Sequence, residues 1–398
     1  MPSLHEAQYR YACHYCDVAK ETDRLYLNGN VIRGLELFDR ERLQLEAVFE
    51  FLASALTPIL PDPMREVSRK HGEKLAKHSV LLISLVDAMR YTGQSLRFHP
   101  RQRIKWLEAQ RDAARTTKDR KQEGKALGNL GIAHHALGNV QKAIEFQEQR
   151  LTIAREIGDR LGEGQALGNI GLAHYTLGDA HKAIEYQYQY LRIAREIGNR
   201  LGEGQALGNL GTAYYTLGDV QKAIEFQEQR LNIVREIGDR LGEGQTLSGL
   251  GLAYYSLGDI RQAIEYHERS LRIAREIGDR RGEGLTLGSL GLAYYTLGDA
   301  RKAIENHEKH LKIAREISDR RGEGIALWNS AMPLNHLGDR TQAIARAEAA
   351  LRIFEQIEDL NAEKVRRQLA EWRGGRTTCM AGFILRVRLA LAAWRGDR

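Results

Sequence analysis

The chain has 398 residues, more than one ordinary domain, and its 42% hydrophobic and 28% charged residues are the balance of a soluble globular protein. Three cysteines, at 13, 16 and 379, exclude a disulfide framework and fit a reducing cytoplasm. The net charge of +7 gathers at the end, where Arg373, Arg376, Arg386, Arg388, Arg395 and Arg398 face Asp397 alone; residues 161–200 are balanced, so no basic stripe for nucleic acid runs along the body of the chain.

The first eighty residues lack a basic start followed by an apolar stretch, so no signal peptide is read there. Their pattern is helical and does not repeat. Cys13 and Cys16 stand at i and i+3, one helical face; a structural zinc needs four ligands and no second pair exists, so two packed thiols are the reading. Residues 81–120 read as a degenerate capping repeat. Val80–Met89 is an apolar helix, and Ile104, Glu108, Ala114, Arg115, Asp119 and Arg120 match Ile144, Glu148, Ala154, Arg155, Asp159 and Arg160.

From 121 to 360 the sequence repeats every forty residues, six times. In the second copy Leu167, Ile170, His174 and Leu177 form one helical stripe. Gly178 follows as a helix stop and Asp179 as the N-cap of a second helix, with Ala183, Ile184, Leu191, Ala194 and Ile197 inward. Helix breaks are therefore expected near Gly138, Gly178, Gly218, Gly258, Gly298 and Gly338. Gly198-Asn199-Arg200 turns the chain back, and Gly202 and Gly204 are expected to keep the following stretch loose. Gly171 with Ala183, and their equivalents, should let the two helices approach closely. In the sixth copy Pro333 falls inside the first helix and is expected to kink it. Residues 361–374 read as a closing helix. The basic and apolar tail, 375–398, has no packing pattern and is expected to be disordered. Its apolar run Ala381–Trp394 is broken by Arg386 and Arg388 and falls short of the roughly 18–20 residues of a membrane span.

The order Asn-Leu-Gly-x-Ala-Tyr-Tyr-x-x-Gly-Asp, then Ala-Ile-Glu-Tyr, resembles the tetratricopeptide repeat (TPR), and the Gly-Asp-Arg-x-Gly-Glu-Gly linker is similar to that of forty-residue TPRs in bacterial signalling proteins. The resemblance implies an all-α fold, a right-handed α-solenoid of antiparallel helix pairs, with an N-terminal helical region. One departure is the position seven residues after Ala183, usually small in the family, which is Arg150, Tyr190, Arg230, Ser270, His310 and Ala350 here. The first eighty residues, from Leu4-His5-Glu6-Ala7 to Leu45-Glu46-Ala47-Val48, resemble the segment joining the ATPase core to the TPR arm in NB-ARC (STAND-type) regulators. The nucleotide-binding loop of such an ATPase is missing. The only Gly-Lys pair, Gly124-Lys125, is followed by Ala126, with Asp119 where the first glycine should stand.

In a TPR the first helix of each pair lines the concave face. The stripe Gln165, Gly168, Asn169, Leu172, Tyr175 and Thr176 falls there and recurs as Gln165, Gln205 and Gln245; Asn129, Asn169, Asn209 and Asn329; Tyr175, Tyr215, Tyr255 and Tyr295. Asn can both donate to and accept from a peptide main chain, and Tyr offers a broad face with a polar tip. Gly249 and Ser289 interrupt the Asn series. The Tyr residues serve equally well as packing between repeats. Gly128, Gly168, Gly208 and Gly288 are expected to leave room for a ligand's main chain. His307-Glu308-Lys309-His310 misses the metalloprotease spacing by one and reads as a solvated face; His134-His135 fill slots held elsewhere by Tyr214-Tyr215 and read as aromatic substitutes.

The expectation is a cytoplasmic, non-enzymatic module with no cofactor and no metal, which holds a peptide or partner domain in its groove. The N-terminal resemblance implies the sensor arm of a STAND-type regulator. The alternatives are a regulatory subunit that docks onto a separate ATPase or protease and, third, a nucleic-acid-binding solenoid. Because the stripe is uncharged, partner binding is expected to change little with salt.

Overall fold

A computed structural model describes residues 3–56, 69–90 and 97–373. Among them are seventeen α-helices and no strand: α1 (Leu4–Leu27), α2 (Val31–Ser54), α3 (Arg69–Ala88), α4 (Pro100–Thr116), α5 (Arg120–Ala136), α6 (Val140–Glu156), α7 (Arg160–Thr176), α8 (Ala180–Glu196), α9 (Arg200–Thr216), α10 (Val220–Glu236), α11 (Arg240–Leu257), α12 (Ile260–Glu276), α13 (Arg280–Leu297), α14 (Ala300–Glu316), α15 (Arg320–His336), α16 (Arg340–Gln356) and α17 (Asn361–Arg373). The expected tail, 375–398, lies outside the described residues. The chain divides into two compact units, residues 1–202 and 203–398.

In the first unit α1–α4 share one core. Phe49 stacks on Trp106 at 4.0 Å and 8°, Phe38 meets Phe98 edge-on, and Leu45, Leu52, Leu82, Leu85 and Met89 are fully buried around them. Cys13 is half-buried and Cys16 buried, the latter with Sγ 3.6 Å from the Leu81 carbonyl. Where α1 meets α2 only glycine fits: a Cβ at Gly34 would stand 2.7 Å from the Thr22 carbonyl oxygen. Two helix pairs, α5–α6 and α7–α8, continue this core as repeats.

The punctuation of each pair is written in the sequence. Gly138 and Gly178 end the first helices with φ of +77° and +84°, a conformation that costs glycine nothing. Asp179 then caps α8, its Oδ1 accepting from the Lys182 N–H at 3.1 Å. The linker behaves otherwise than expected. Gly202 and Gly204 are not a loose lead-in; they lie within α9 and are buried, as their counterparts Gly162 and Gly164 lie buried at the start of α7. A Cβ at Gly162 would strike the capping carboxylate of Asp159 at 2.3 Å, and one at Gly164 would press on Tyr190 at 3.1 Å. The Arg and Glu of the same linker form ion pairs. Buried Glu163 accepts from Arg155 Nε at 2.9 Å and also pairs with Arg160, which reaches on to Glu196.

The second unit repeats these devices. Arg235, Glu243, Arg240 and Glu276 form one such chain of charges, Arg275, Glu283, Arg280 and Glu316 the next, and Arg315, Glu323 and Arg320 a third. Gly218, Gly258, Gly298 and Gly338 again end first helices at positive φ. α15 runs on through Pro333 to His336. Val365, Leu369 and Trp372 bury the inner side of α17 against Trp328, Ala350 and Phe354. Two residues read as inward, Leu177 and Ile197, are instead partly exposed at their helix ends, 53% and 39%, because capping turns the chain outward there.

Candidate functional site

The first helices present one repeated face in each unit. In the first unit Gln165 is exposed and Asn129, Asn169 and Tyr175 are half-buried; Ile132 and Leu172, each 41% exposed, lie among them. In the second unit Gln205 and Gln245 are exposed, Asn209, Tyr215, Tyr255, Tyr295 and Asn329 are half-buried, and Leu252 and Leu292 are 46% and 40% exposed. The spacing of three and four along each helix places these residues together, as the sequence implied.

Their hydrogen bonds separate the three series. The Asn series is unengaged: among the described residues, no side-chain hydrogen bond is made by Asn129, Asn169, Asn209 or Asn329. The Tyr series is tied to the neighbouring repeat. Tyr215 Oη meets Ser256 Oγ at 2.7 Å, Tyr255 Oη meets Thr296 Oγ1 at 2.8 Å, and Tyr295 contacts the His336 ring edge-on at 5.9 Å. In the first unit His135 Nε2 takes the same role toward Thr176 Oγ1, at 3.0 Å. His134 stacks on Phe146 as Tyr214 stacks on Phe226. In the Gln series, Gln165 accepts from Arg150 Nη2 at 2.5 Å and Gln245 from Arg230 Nη2 at 3.4 Å.

Those arginines correct one expectation. The glycines at 128, 168, 208 and 288 leave no room for a ligand, because the second helix of their own pair fills it. A Cβ at Gly128 would meet Arg150 Nη1 at 2.6 Å, at Gly168 Tyr190 Cδ1 at 2.7 Å, at Gly208 Arg230 Nη1 at 2.7 Å and at Gly288 His310 Nδ1 at 3.0 Å. The large residue at the position usually small is thus matched by a glycine opposite. The sixth repeat reverses the pair, with Trp328 on the first helix and Ala350 on the second in one core cluster. The signal in the sequence is the anticorrelated sizes of residues twenty-two apart, which shows only when the two positions are paired.

A second row works the same way. Gln147 Nε2 donates to the Gly128 carbonyl at 2.8 Å and Gln187 Nε2 to the Gly168 carbonyl at 2.9 Å, each lying across Gly131 or Gly171. The close approach assigned to Gly171 and Ala183 therefore includes Gln187, whose Nε2 would be 2.7 Å from an added Cβ, nearer than the Ala183 carbonyl at 3.2 Å. His267 and His307 replace this glutamine over Gly251 and Gly291. His307 and His310 are consequently buried, 1% and 4% exposed, not solvated as their sequence suggested. Burial holds His267 down to about 4 and His307 to about 3, so both are neutral imidazoles at pH 7.

Stacked helix pairs joined by positive-φ glycines define a helical-repeat protein. The family follows: a tetratricopeptide repeat model matches residues 122–196, 162–236 and 242–316, and the array is made of tetratricopeptide repeats. A comparison with curated protein sequences finds no match. Among solved structures, a Signal Transduction ATPase with Numerous Domains (STAND) protein with a tetratricopeptide repeat sensor, from Pyrococcus horikoshii, is 17% identical and covers 84% of this chain and 62% of its own, with a TM-score of 0.58. Aspartyl phosphate phosphatase F from Bacillus subtilis is 14% identical over 92% of this chain and 96% of its own, TM-score 0.52. A Rap protein complexed with competence and sporulation factor is 16% identical over 90% and 98%, TM-score 0.51. At these identities the likeness is one of fold. No described helix is long and apolar enough to cross a membrane.

Proposed function

We propose that this tetratricopeptide array is a non-catalytic, cytoplasmic interaction scaffold whose first-helix face holds a peptide or an extended segment of a partner. The observation that carries this reading is the unengaged Asn129, Asn169, Asn209 and Asn329, with the exposed Ile132 and Leu172 three residues past the first two of them. Amides left without intramolecular partners, next to apolar side chains, suit a peptide main chain and its side chains. The Tyr series contributes less than its sequence suggested, because the hydroxyls of Tyr215 and Tyr255 are already engaged; it sets the face's shape and offers ring surface. The fold-sharing Rap protein is described as complexed with a factor, which agrees with a binding role. The sensor arm of a STAND-type regulator is the form of this role that the sequence of α1 and α2 favours, with any ATPase supplied by residues other than these. The boundaries 1–80, 81–120, 121–360 and 361–374 are proposed as its functional divisions.

The test combines capture and mapping. Partners captured from lysate of the native cell, crosslinked and mapped by mass spectrometry, should mark peptides around Asn169 and Asn209. Asn169→Ala and Asn209→Ala should each cost about 1–3 kcal/mol of binding, since a ligand amide is left unpaired. If the dominant partner is instead nucleic acid, indifferent to both asparagines and lost when 375–398 are deleted, the reading is wrong.

A further inference from the structure

A cleft of about 590 Å³ opens in the first unit where α1, α3 and the start of α5 meet. Ser84, Asp87, Asp119 and Gln122 give it a polar lining, and Val80 and Ile83 an apolar side. Asp87 accepts from Gln110 Nε2 at 2.8 Å, and Asp119 caps α5 by accepting from the Gln122 N–H at 3.0 Å. Among the described residues neither carboxylate has a cation within 4.0 Å. Lys20, which also lines the cleft, is paired with Asp17 of its own helix at 2.9 Å. The amide oxygens of Gln110 and Gln122 are buried with no hydrogen-bond partner among the described residues, and Gln110 as a whole is 1% exposed.

The cleft therefore holds acceptors in excess of donors, and its charge is negative where its carboxylates stand. An amide oxygen buried without a donor is destabilising. The fold does not ask for this lining. Forty residues on, Asp87 becomes Leu127, Thr117 becomes Ile157, and Gln122 becomes Gly162; every later repeat keeps glycine at that last place. A terminal unit needs a polar outer surface, but such a surface would set these groups in water, and the two glutamine oxygens are buried instead. An alkylammonium group carries three N–H donors, no acceptor and a positive charge, and its methylenes suit the side formed by Val80 and Ile83. A bare metal ion would fill little of the cleft and would leave that apolar side unused.

We propose that this cleft binds an alkylammonium group, with Asp87 and Asp119 supplying the charge and the Gln122 amide oxygen a further acceptor. A free polyamine and a lysine side chain of a partner protein carry the same chemistry. None of the lining residues belongs to the Gln, Asn or Tyr series, so the site is independent of the peptide-binding reading above and either can fail alone. Binding should weaken as salt rises, since it rests on partly exposed charges.

The experiment titrates the full chain calorimetrically at low salt with spermidine, a capped Gly-Lys-Gly peptide, its norleucine isostere, and magnesium and calcium chloride. Spermidine or the lysyl peptide should bind about tenfold tighter than the norleucine peptide, the size expected of charge-assisted hydrogen bonds. Whichever of the two binds tighter identifies the source of the ammonium group. Asp87→Asn with Asp119→Asn should abolish the preference, and asparagine preserves the cap of α5. Gln122→Gly, which installs the residue of the later repeats, should weaken binding severalfold. Circular dichroism checks the fold of each variant, and the bound amine should raise the melting temperature of the wild-type chain and not that of the double variant. If the double variant does not fold, Asp87→Asn alone and Gln122→Gly decide, and undiminished amine binding in both overturns the proposal. An amine affinity no greater than that of the norleucine peptide overturns it too, as does an amine preference that survives the double substitution. Magnesium or calcium that displaces spermidine, and is itself lost in the double variant, would make this an inorganic cation site and the proposal wrong.

Discussion

At Gly34 and Gly208 an added methyl group meets different neighbours, and the difference decides the outcome of the same substitution. Alanine in a helix gains roughly 0.5–1 kcal/mol over glycine. At Gly208 the obstacle is the Arg230 guanidinium, 2.7 Å from the new Cβ, the movable end of a flexible chain. At Gly34 it is backbone, the Thr22 carbonyl oxygen at 2.7 Å and the Tyr26 nitrogen at 3.0 Å, and only a shift of α1 against α2 relieves it. Gly208→Ala should therefore stay within about 1 kcal/mol of wild type, and Gly34→Ala should lose about 1–3 kcal/mol as overpacking outweighs propensity. Urea unfolding followed by hydrogen exchange in α1–α2 and α9–α10 compares them; equal protection of α1–α2 in wild type and Gly34→Ala contradicts the argument.

The buried histidines give the same scale a pH dependence. The folded state holds His267 at about 4 and His307 at about 3, below the usual value near 6.5, because burial disfavours the charged ring. The unfolded chain thus binds these protons first. Their stabilisation is complete above about pH 6.5 and is lost as pH falls from there through about 4 and then about 3. Protection around α12 and α14 should decline over that window, ahead of α6 and α8, where Gln147 and Gln187 hold the same place. His267→Gln with His307→Gln should remove the difference, as exchange measured at pH 7 and pH 4.5 would show.

At the scale of the element, the linker holds the helix junctions by charge. Glu243 is buried between Arg235 Nε at 2.8 Å and Arg240 Nη1 at 2.5 Å, and the two arginines hold its carboxyl below the usual range against the opposing effect of burial. Glu243→Gln keeps the shape and removes the charge, leaving two cations facing a neutral amide. Since both arginines also reach solvent, the cost should be about 1–3 kcal/mol, less than for a fully buried pair. It should appear as lost protection at the start of α11 and shrink at high salt. No change in α11 on substitution would mean that these ion pairs are ornaments of the turn and that the Asp239 cap alone sets it.

Across the whole molecule, stability is expected to be the sum of helix pairs and their nearest neighbours. Gly211→Leu tests this. A Cβ there already stands 2.7 Å from Gln227 Nε2, so the rest of a leucine has no space, and a cost of about 1–3 kcal/mol or more follows. Protection should fall most in α9 and α10 and fade with distance along the chain. A uniform loss from α1 to α17 would instead require one cooperative core.

Local chemistry fixed what sequence alone could determine here. Positive-φ glycines at 138, 178, 218, 258, 298 and 338, aspartates that cap, and apolar residues at helical spacing specify structure over a few residues, so the helices, their breaks and the repeat were legible. The first-helix stripe was legible for the same reason, since helical spacing alone puts Gln165, Asn169 and Leu172 on one face. What each stripe residue does was not. Asn169 is unengaged, Tyr215 is bound to Ser256, and Gly208 is covered by Arg230, and nothing in their spacing distinguishes these fates. Those contacts join residues about twenty to forty positions apart, so they exist only once helices pack. Packing also buried His307 and His310, because their helix turns that side onto Gly291 and Gly288. Burial and partnership belong to two surfaces at once, and only the tertiary structure brings the second surface.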